Sequence, residues 1–343
     1  MTGHRFAWRR RAVCYALGAL LSVSAVGSAA AEVNALRISR GFGIHYLPLY
    51  VMERFKLVEK QAAAAGLGDV KVTYSAIDGG NVVNDAMLAG ALDIASLGVP
   101  GFLTLWDKAR NIPQYEVKGL VGIGGGSVWL MTRNPNVKTL ADFTAKDRIA
   151  VPGIKTSFVA VVLQMAAAQA FGKENYAKLD PLTVSLPHPD ALTAMLSRKS
   201  EIDSHFSSPP FSYLENDQPD FHRVVNSADV LGPLTIIMAY TRRSFYEANP
   251  KLTAAFVAAA KEAAALIAAD KREAARAYLS LAKVKTGEDE MMRMLEDPET
   301  HYSVAPEGTM KYAAFMHDIG TLKAEPKSWK DLFFPLIHDA PGS

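Results

Sequence analysis

Between Leu36 and Tyr240 short apolar runs alternate with longer segments of helical spacing, and this rhythm constrains the fold more than any other feature. Residues 36–39 read as a strand and 41–45 as a loop. Pro48 then opens a helix at a position that tolerates its missing N–H. Tyr50, Val51, Phe55 and Val58 recur at helical spacing until Gly66 ends the run. Residues 70–75 alternate as a strand should. Gly79, Gly80 and Asn81 open a second helix, which Gly90 closes. Residues 92–97 form a strand, and Gly98, Val99, Pro100 and Gly101 turn into a third helix. Further strands read at 118–123, 128–132, 149–151, 182–186, 201–206 and 234–240. Short helices read at 139–143, with Thr139 as N-cap, and at 190–196. After Pro250 the chain becomes mostly helical. The order predicts an α/β fold with a largely parallel sheet.

A chain of 343 residues is long enough for two such units. The glycine run at 124–126 and the stretch 226–233 are the natural crossing points. They predict one lobe made of 32–125 and 234–343, the second part including the C-terminal helices, and another lobe made of 126–233. Two crossing segments make a hinge, with a ligand cleft between the lobes.

Residues 1–31 read as a cleavable secretory signal. Arg5, Arg9, Arg10 and Arg11 form a basic start, 12–26 is apolar, and Ala29, Ala30 and Ala31 offer a cleavage site. The apolar part is short for a membrane span. Without these four arginines, 33 of the 37 basic residues remain against 35 acidic ones, a net charge of −2. The basic balance of the whole chain therefore does not point to nucleic acid. The one cysteine, Cys14, falls in the same segment. The rest has no disulfide, no thiolate metal site and no cysteine nucleophile.

The stretch 147–170 is the most suggestive for binding. Residues 149–151 read as a buried strand, Pro152 and Gly153 as a turn, and Lys155, Thr156, Ser157 and Phe158 lead into a buried helix rich in Ala, Val, Leu and Met. Free N–H groups and two hydroxyls at a helix start suit an anion. The same residue types also serve as ordinary caps. Ligands of open α/β sheets sit beyond the carboxyl ends of the strands. The other strand–helix junctions therefore supply further candidates: His45 and Tyr46, Gly80 and Asn81, Gly98, Val99 and Pro100, His188 between two prolines, and Ser207. These junctions are poor in paired acids. No G-x-S-x-G, no H-E-x-x-H and no metal-ligand spacing among the eight histidines appears. Catalytic residues, cofactors and metals are accordingly not expected.

Short segments in a fixed order resemble a known family. They are Leu47 to Val51, Gly90 to Ala95, Asn134-Pro135, Val137 to Phe143, Arg148 to Pro152, and Ser157. Together they are similar to the substrate-binding proteins of ABC importers of the nitrate/taurine/sulfonate type. The resemblance implies a fold of the type II periplasmic binding protein kind, with two doubly wound α/β lobes joined by a two-segment hinge. It implies a monomer in the periplasm that captures a small organic anion or heterocycle by lobe closure. It implies a membrane permease with a cytoplasmic ATPase as partner. Two other readings share the scaffold: an exported enzyme, and a ligand sensor for a membrane receptor.

Overall fold

The structure is a computed structural model that describes residues 31–343 other than Asp78, Pro233 and Lys283. The expected signal segment, save Ala31, lies outside the described residues. Strand β1 (Ala35–Arg40) leads through a 3-10 turn at Ile44–Tyr46 into helices α1 (Leu47–Arg54) and α2 (Leu57–Ala64). Then come β2 (Lys71–Ala76), α3 (Gly80–Leu88), β3 (Ile94–Gly98), α4 (Val99–Ala109) and β4 (Val117–Gly125). The middle of the chain holds β5 (Trp129–Thr132), β6 (Ile149–Val151), α5 (Phe158–Phe171), β7 (Thr183–Ser185), α6 (His188–Ser197), β8 (Ser204–Ser207), α7 (Phe211–Asn216), β9 (His222–Asn226) and α8 (Ser227–Leu231). It returns as β10 (Thr235–Arg242) and ends in α9 (Arg243–Ala248), α10 (Pro250–Ala269), α11 (Lys271–Leu281), α12 (Glu288–Leu295), α13 (Thr309–Asp318) and α14 (Trp329–Leu332).

The strands form two five-stranded sheets, ordered β2-β1-β3-β10-β4 and β7-β6-β8-β5-β9. Each has a parallel trio, centred on β1 in one and on β6 in the other. Each then gains an antiparallel strand immediately after the chain crosses over. In the first sheet this is β10, against β3 and β4. In the second it is β5, against β8 and β9. The sheets are therefore mixed but largely parallel, as expected: in each, four of the five strands run in one direction and a single inserted strand runs against them. A strand arriving from the other sheet is not joined to its new neighbours by a crossover within their own sheet, so nothing forces it to run parallel.

Burial explains the strand sequences. Every residue of β3 and β6 is buried, as expected for central strands covered on both faces. The edge strand β2 is mostly exposed or half-buried and carries Lys71, Thr73 and Ser75. Helix α5 is buried along nearly its whole first half, which accounts for its uniformly apolar sequence. α10 is the one helix among the described residues long and apolar enough to cross a membrane. Half of its apolar window is buried inside the fold, and Lys261 and Glu262 interrupt it.

Other differences from the expected pattern are local. The first helix is two, because Lys56 adopts a left-handed conformation (φ 51°) between them. The turn at Thr139 is 3-10 and closes with a capping box, Thr139 and Asp142 each holding the other's backbone N–H. α6 begins at His188, two residues before the predicted start, so His188 is a helical residue and not part of a loop.

Both crossings lie side by side. Gly125 at the end of β4 pairs with Thr235 at the start of β10, and Trp129 pairs with Asn226. Val128 and Ser227 exchange two hydrogen bonds of 2.9 Å. A third stretch, 297–304, runs alongside them. Tyr213 donates to Asp297 (2.6 Å) and Asn226 to Glu299 (3.2 Å), while the backbone N–H groups of Gly125 and Gly122 donate to His301 and Val304 (2.9 Å each). This segment straps the second sheet to the first.

Candidate functional site

The glycines at the strand ends let the two halves of the molecule touch through their backbones. A Cβ on Gly98 would lie 2.9 Å from the Cβ of Phe158, and one on Gly43 2.8 Å from the carbonyl oxygen of Pro209. Gly79 faces the Pro152 carbonyl and Gly80 faces Thr156 in the same way. The Ile44 N–H donates to the Pro209 carbonyl at 2.9 Å. Larger residues at these places would hold the halves apart.

Between these contacts lies a cavity of about 50 Å³. From the first half come Phe42, His45, Tyr46, Gly79, Gly80, Leu97, Gly98, Ile236 and Ile237. From the second come Pro152, Ser157, Phe158, Val159, His188 and Ser208, with Val128 at the crossing. None of these lining residues is Lys, Arg, Asp or Glu.

Five helices begin at this wall. Tyr46 precedes α1, Gly80 starts α3, Gly98 precedes α4, Ser157 caps α5 and His188 starts α6. Unpaired N–H groups and helix dipoles make such ends positive, each favouring an anion by roughly 0.3–1 kcal/mol at exposed sites. Such ends favour an anion, and none of the described lining residues carries a formal charge.

Two imidazoles stand in it. His45 is almost fully buried and its Nε2 has no hydrogen-bond partner. Burial, reinforced by nearby His301, pushes its pKa down to about 3. His188 is also buried, and burial, with His205 and His45 close by, holds it well below the usual histidine range. Both are neutral at pH 7. The hydroxyl of Ser208 is buried and makes no hydrogen bond, an open donor and acceptor at the cavity wall.

Of the residues singled out from sequence, His45, Tyr46, Gly80, Gly98, Ser157, Phe158 and His188 come together here. Six do not line the cavity. Lys155 is exposed, in a left-handed conformation, on the side facing Asp180. Thr156 lies between the halves, against Gly80 and Gly153, with its hydroxyl buried and unpartnered. Asn81 is exposed, Val99 and Pro100 are buried in the first turn of α4, and Ser207 is buried one residue short of Ser208. Ile236 and Ile237 were missed because they sit inside an apolar strand that looks like pure core. Their proximity to the crossing point is the signal that could have marked them. His188 contacts His205, which in turn contacts Glu215, and neither of these stands at a strand–helix junction visible in the sequence.

The architecture matches that of solved binding proteins. The alkanesulfonate-binding protein of Xanthomonas axonopodis pv. citri, bound to MOPS, superposes with a TM-score of 0.66 at 15% identity, covering 86% of this chain and 96% of its own. A Candida albicans gene product described as having the generic periplasmic binding protein fold gives 0.60 at 12%, covering 89% and 95%. The chain has the periplasmic binding protein fold. The periplasmic nitrate-binding protein of Synechocystis PCC 6803 shares that fold too, at 0.64 and 14%, covering 88% of this chain and 85% of its own. No protein-family model matches the chain, and no curated protein matches it significantly in sequence. In this periplasmic binding protein fold the cavity lies where the two sheets face each other across the crossing segments.

Proposed function

We propose that this chain is the solute-binding component of an ABC importer, capturing a small organic anion or heterocycle between two closing lobes. The lobes are 32–125 with 234–343, and 126–233. The observation that carries the reading is the convergence of five helix N-termini on one cavity whose described lining residues carry no charge. That arrangement attracts negative charge without a fixed cation. The aromatic rings of Phe42, Tyr46 and Phe158 offer an apolar surface beside it. Solved proteins of this fold bind alkanesulfonate and nitrate, which supports an anion as ligand. The chain works outside the cytoplasm, as a monomer, and delivers its ligand to a membrane permease with a cytoplasmic ATPase. It is a binding protein and not an enzyme.

A thermal-shift panel of alkanesulfonates, aromatic carboxylates, nitrate and pyrimidines tests this. A ligand at a hundred times its Kd adds about 2.7 kcal/mol to the stability of the folded state. One class is expected to raise the melting temperature by several degrees. A flat response across the panel refutes the proposal.

A further inference from the structure

Helix α13 is fastened to one lobe and holds on to the other. Just before it, Glu307 exchanges hydrogen bonds with Thr235 on β10 (3.0 and 2.9 Å). Just after it, the N–H groups of Lys323 and Ala324 donate to the carboxylate of Asp107 on α4 (2.9 Å each). Both ends of the helix are thus tied to the first lobe, and its body packs on α4 as well. The side chains between these ties reach across to the second lobe. Lys311 Nζ donates to the carbonyl of Leu231, the last residue of α8 (2.9 Å). Tyr312 meets the ring of Phe158, the first residue of α5, edge-on at 5.7 Å. Phe315 meets Tyr176 edge-on at 6.4 Å. Asp318 pairs with Lys173, just past the end of α5 (2.6 Å).

The anchoring decides what must give when the lobes part. Phe158 is the residue that Gly98 meets across the cleft, so lobes that separate there carry Phe158 away from α4. Tyr312 can follow it only if Glu307 leaves β10 or residues 323–324 leave Asp107. Those ties are the better protected side, since Thr235 is buried and the Asp107 carboxylate is only 6% exposed. The hold on the second lobe is the weaker side. Lys173 and Asp318 are exposed, so their ion pair contributes little, and Phe315 and Tyr176 are half-buried.

Resting on the lobe closure proposed above, we infer that α13 is a clasp: it stays with the first lobe, grips α5 and α8 while the lobes are shut, and lets go each time they part. None of the four gripping side chains of α13 lines the cavity. The closed form thereby gains stability from groups that no solute touches. Affinity for a captured solute then depends on the clasp as well as on the cavity, because the clasp shifts the population of the closed form.

Hydrogen exchange at the Ile44 amide reads the parting of the lobes without any ligand, because that N–H donates across the cleft to the Pro209 carbonyl (2.9 Å). The full chain is used with its one cysteine replaced, Cys14→Ser, and with Lys173→Cys and Asp318→Cys introduced. A short bis-methanethiosulfonate joins the two new thiols, and a reductant frees them. The bridge is expected to slow exchange at Ile44 by about tenfold or more, and reduction to restore it, while the amides of β6 stay unchanged. Phe315→Ala removes one aromatic contact of the grip and is expected to speed exchange at Ile44 about two- to tenfold. A merely structural loss would speed exchange in β6 as well. Equal exchange at Ile44 with and without the bridge would mean that α13 rides with the second lobe, and it overturns the inference. Failure of the two thiols to join overturns it too. If Phe315→Ala does not fold, the bridge decides alone. Solute capture stands or falls separately on the thermal-shift panel, since no ligand enters this measurement.

Discussion

His45 and His188 are imidazoles that the folded protein keeps uncharged. In the unfolded chain both would titrate near 6.5, and in the folded protein both are lowered, His45 to about 3. The folded state therefore binds fewer protons below pH 6.5 than the unfolded state does. Their contribution to stability is complete above pH 6.5 and is lost as pH falls toward the folded values, by up to about 1.4 kcal/mol per pH unit for each histidine. Replacing His45 by Gln removes one of the two. Urea denaturation of the ligand-free protein from about pH 7 to about pH 5 should show a shallower loss in His45→Gln than in the wild type. Equal slopes would mean that His45 is protonated in the folded state. At this scale the sequence marked His45, Tyr46, Ser157, Phe158 and His188, because strand–helix junctions are visible as breaks in hydrophobic period. It could not mark Glu215, which looks like any polar residue of a short helix until α7 is seen to lie against β8.

At the scale of elements, the residues that carried the family resemblance prove to be joints of the scaffold. Asp93 receives the backbone N–H and the guanidinium of Arg37, tying β3 to β1. Asn134 donates to Asp147 (2.7 Å), and Asp142 closes the box with Thr139. Such joints recur at fixed spacing and are legible in a single sequence. Antiparallel insertion of β5 and β10 was not legible, since pairing direction depends on where a strand comes from and not on its residues. The junction glycines have a function that spacing alone leaves open. Gly98 has an ordinary negative φ (−57°) in the extended region, so alanine there costs no backbone strain. Its Cβ meets only the facing half, at Phe158. Gly98→Ala should leave the unfolding midpoint of the ligand-free protein nearly unchanged. It should weaken ligand binding about tenfold or more, the effect of about 1–3 kcal/mol of overpacking felt only when the lobes close. Unchanged affinity by calorimetry would show that the halves need not meet there.

For the whole molecule the size of the cavity is decisive. About 50 Å³ holds a few waters and is too small for an alkanesulfonate or an aromatic acid. A solute of that size can enter only if the two sheets move apart, and the paired crossings with their strap at 297–304 are the natural axis. Small-angle scattering should therefore record a larger radius of gyration without ligand than with a saturating hit from the panel. No contraction would argue against closure as the capture step. The α/β plan was readable in the alternation of strand-like and helix-like segments, because it is a consequence of local pattern. The closeness of the halves was not, because it depends on contacts between residues more than fifty positions apart, such as Gly98 and Phe158.

The interleaved chain order also dictates the order of assembly. All five strands of the second sheet lie within residues 129–226, a single uninterrupted stretch. The first sheet cannot be completed until β10 exists, because β4 pairs with no other strand in it. A chain emerging from its N-terminus thus leaves β3 and β4 with bare edges while more than a hundred residues are still to come. These edges are open to wrong partners during that interval. The later-made sheet is the one that can finish first.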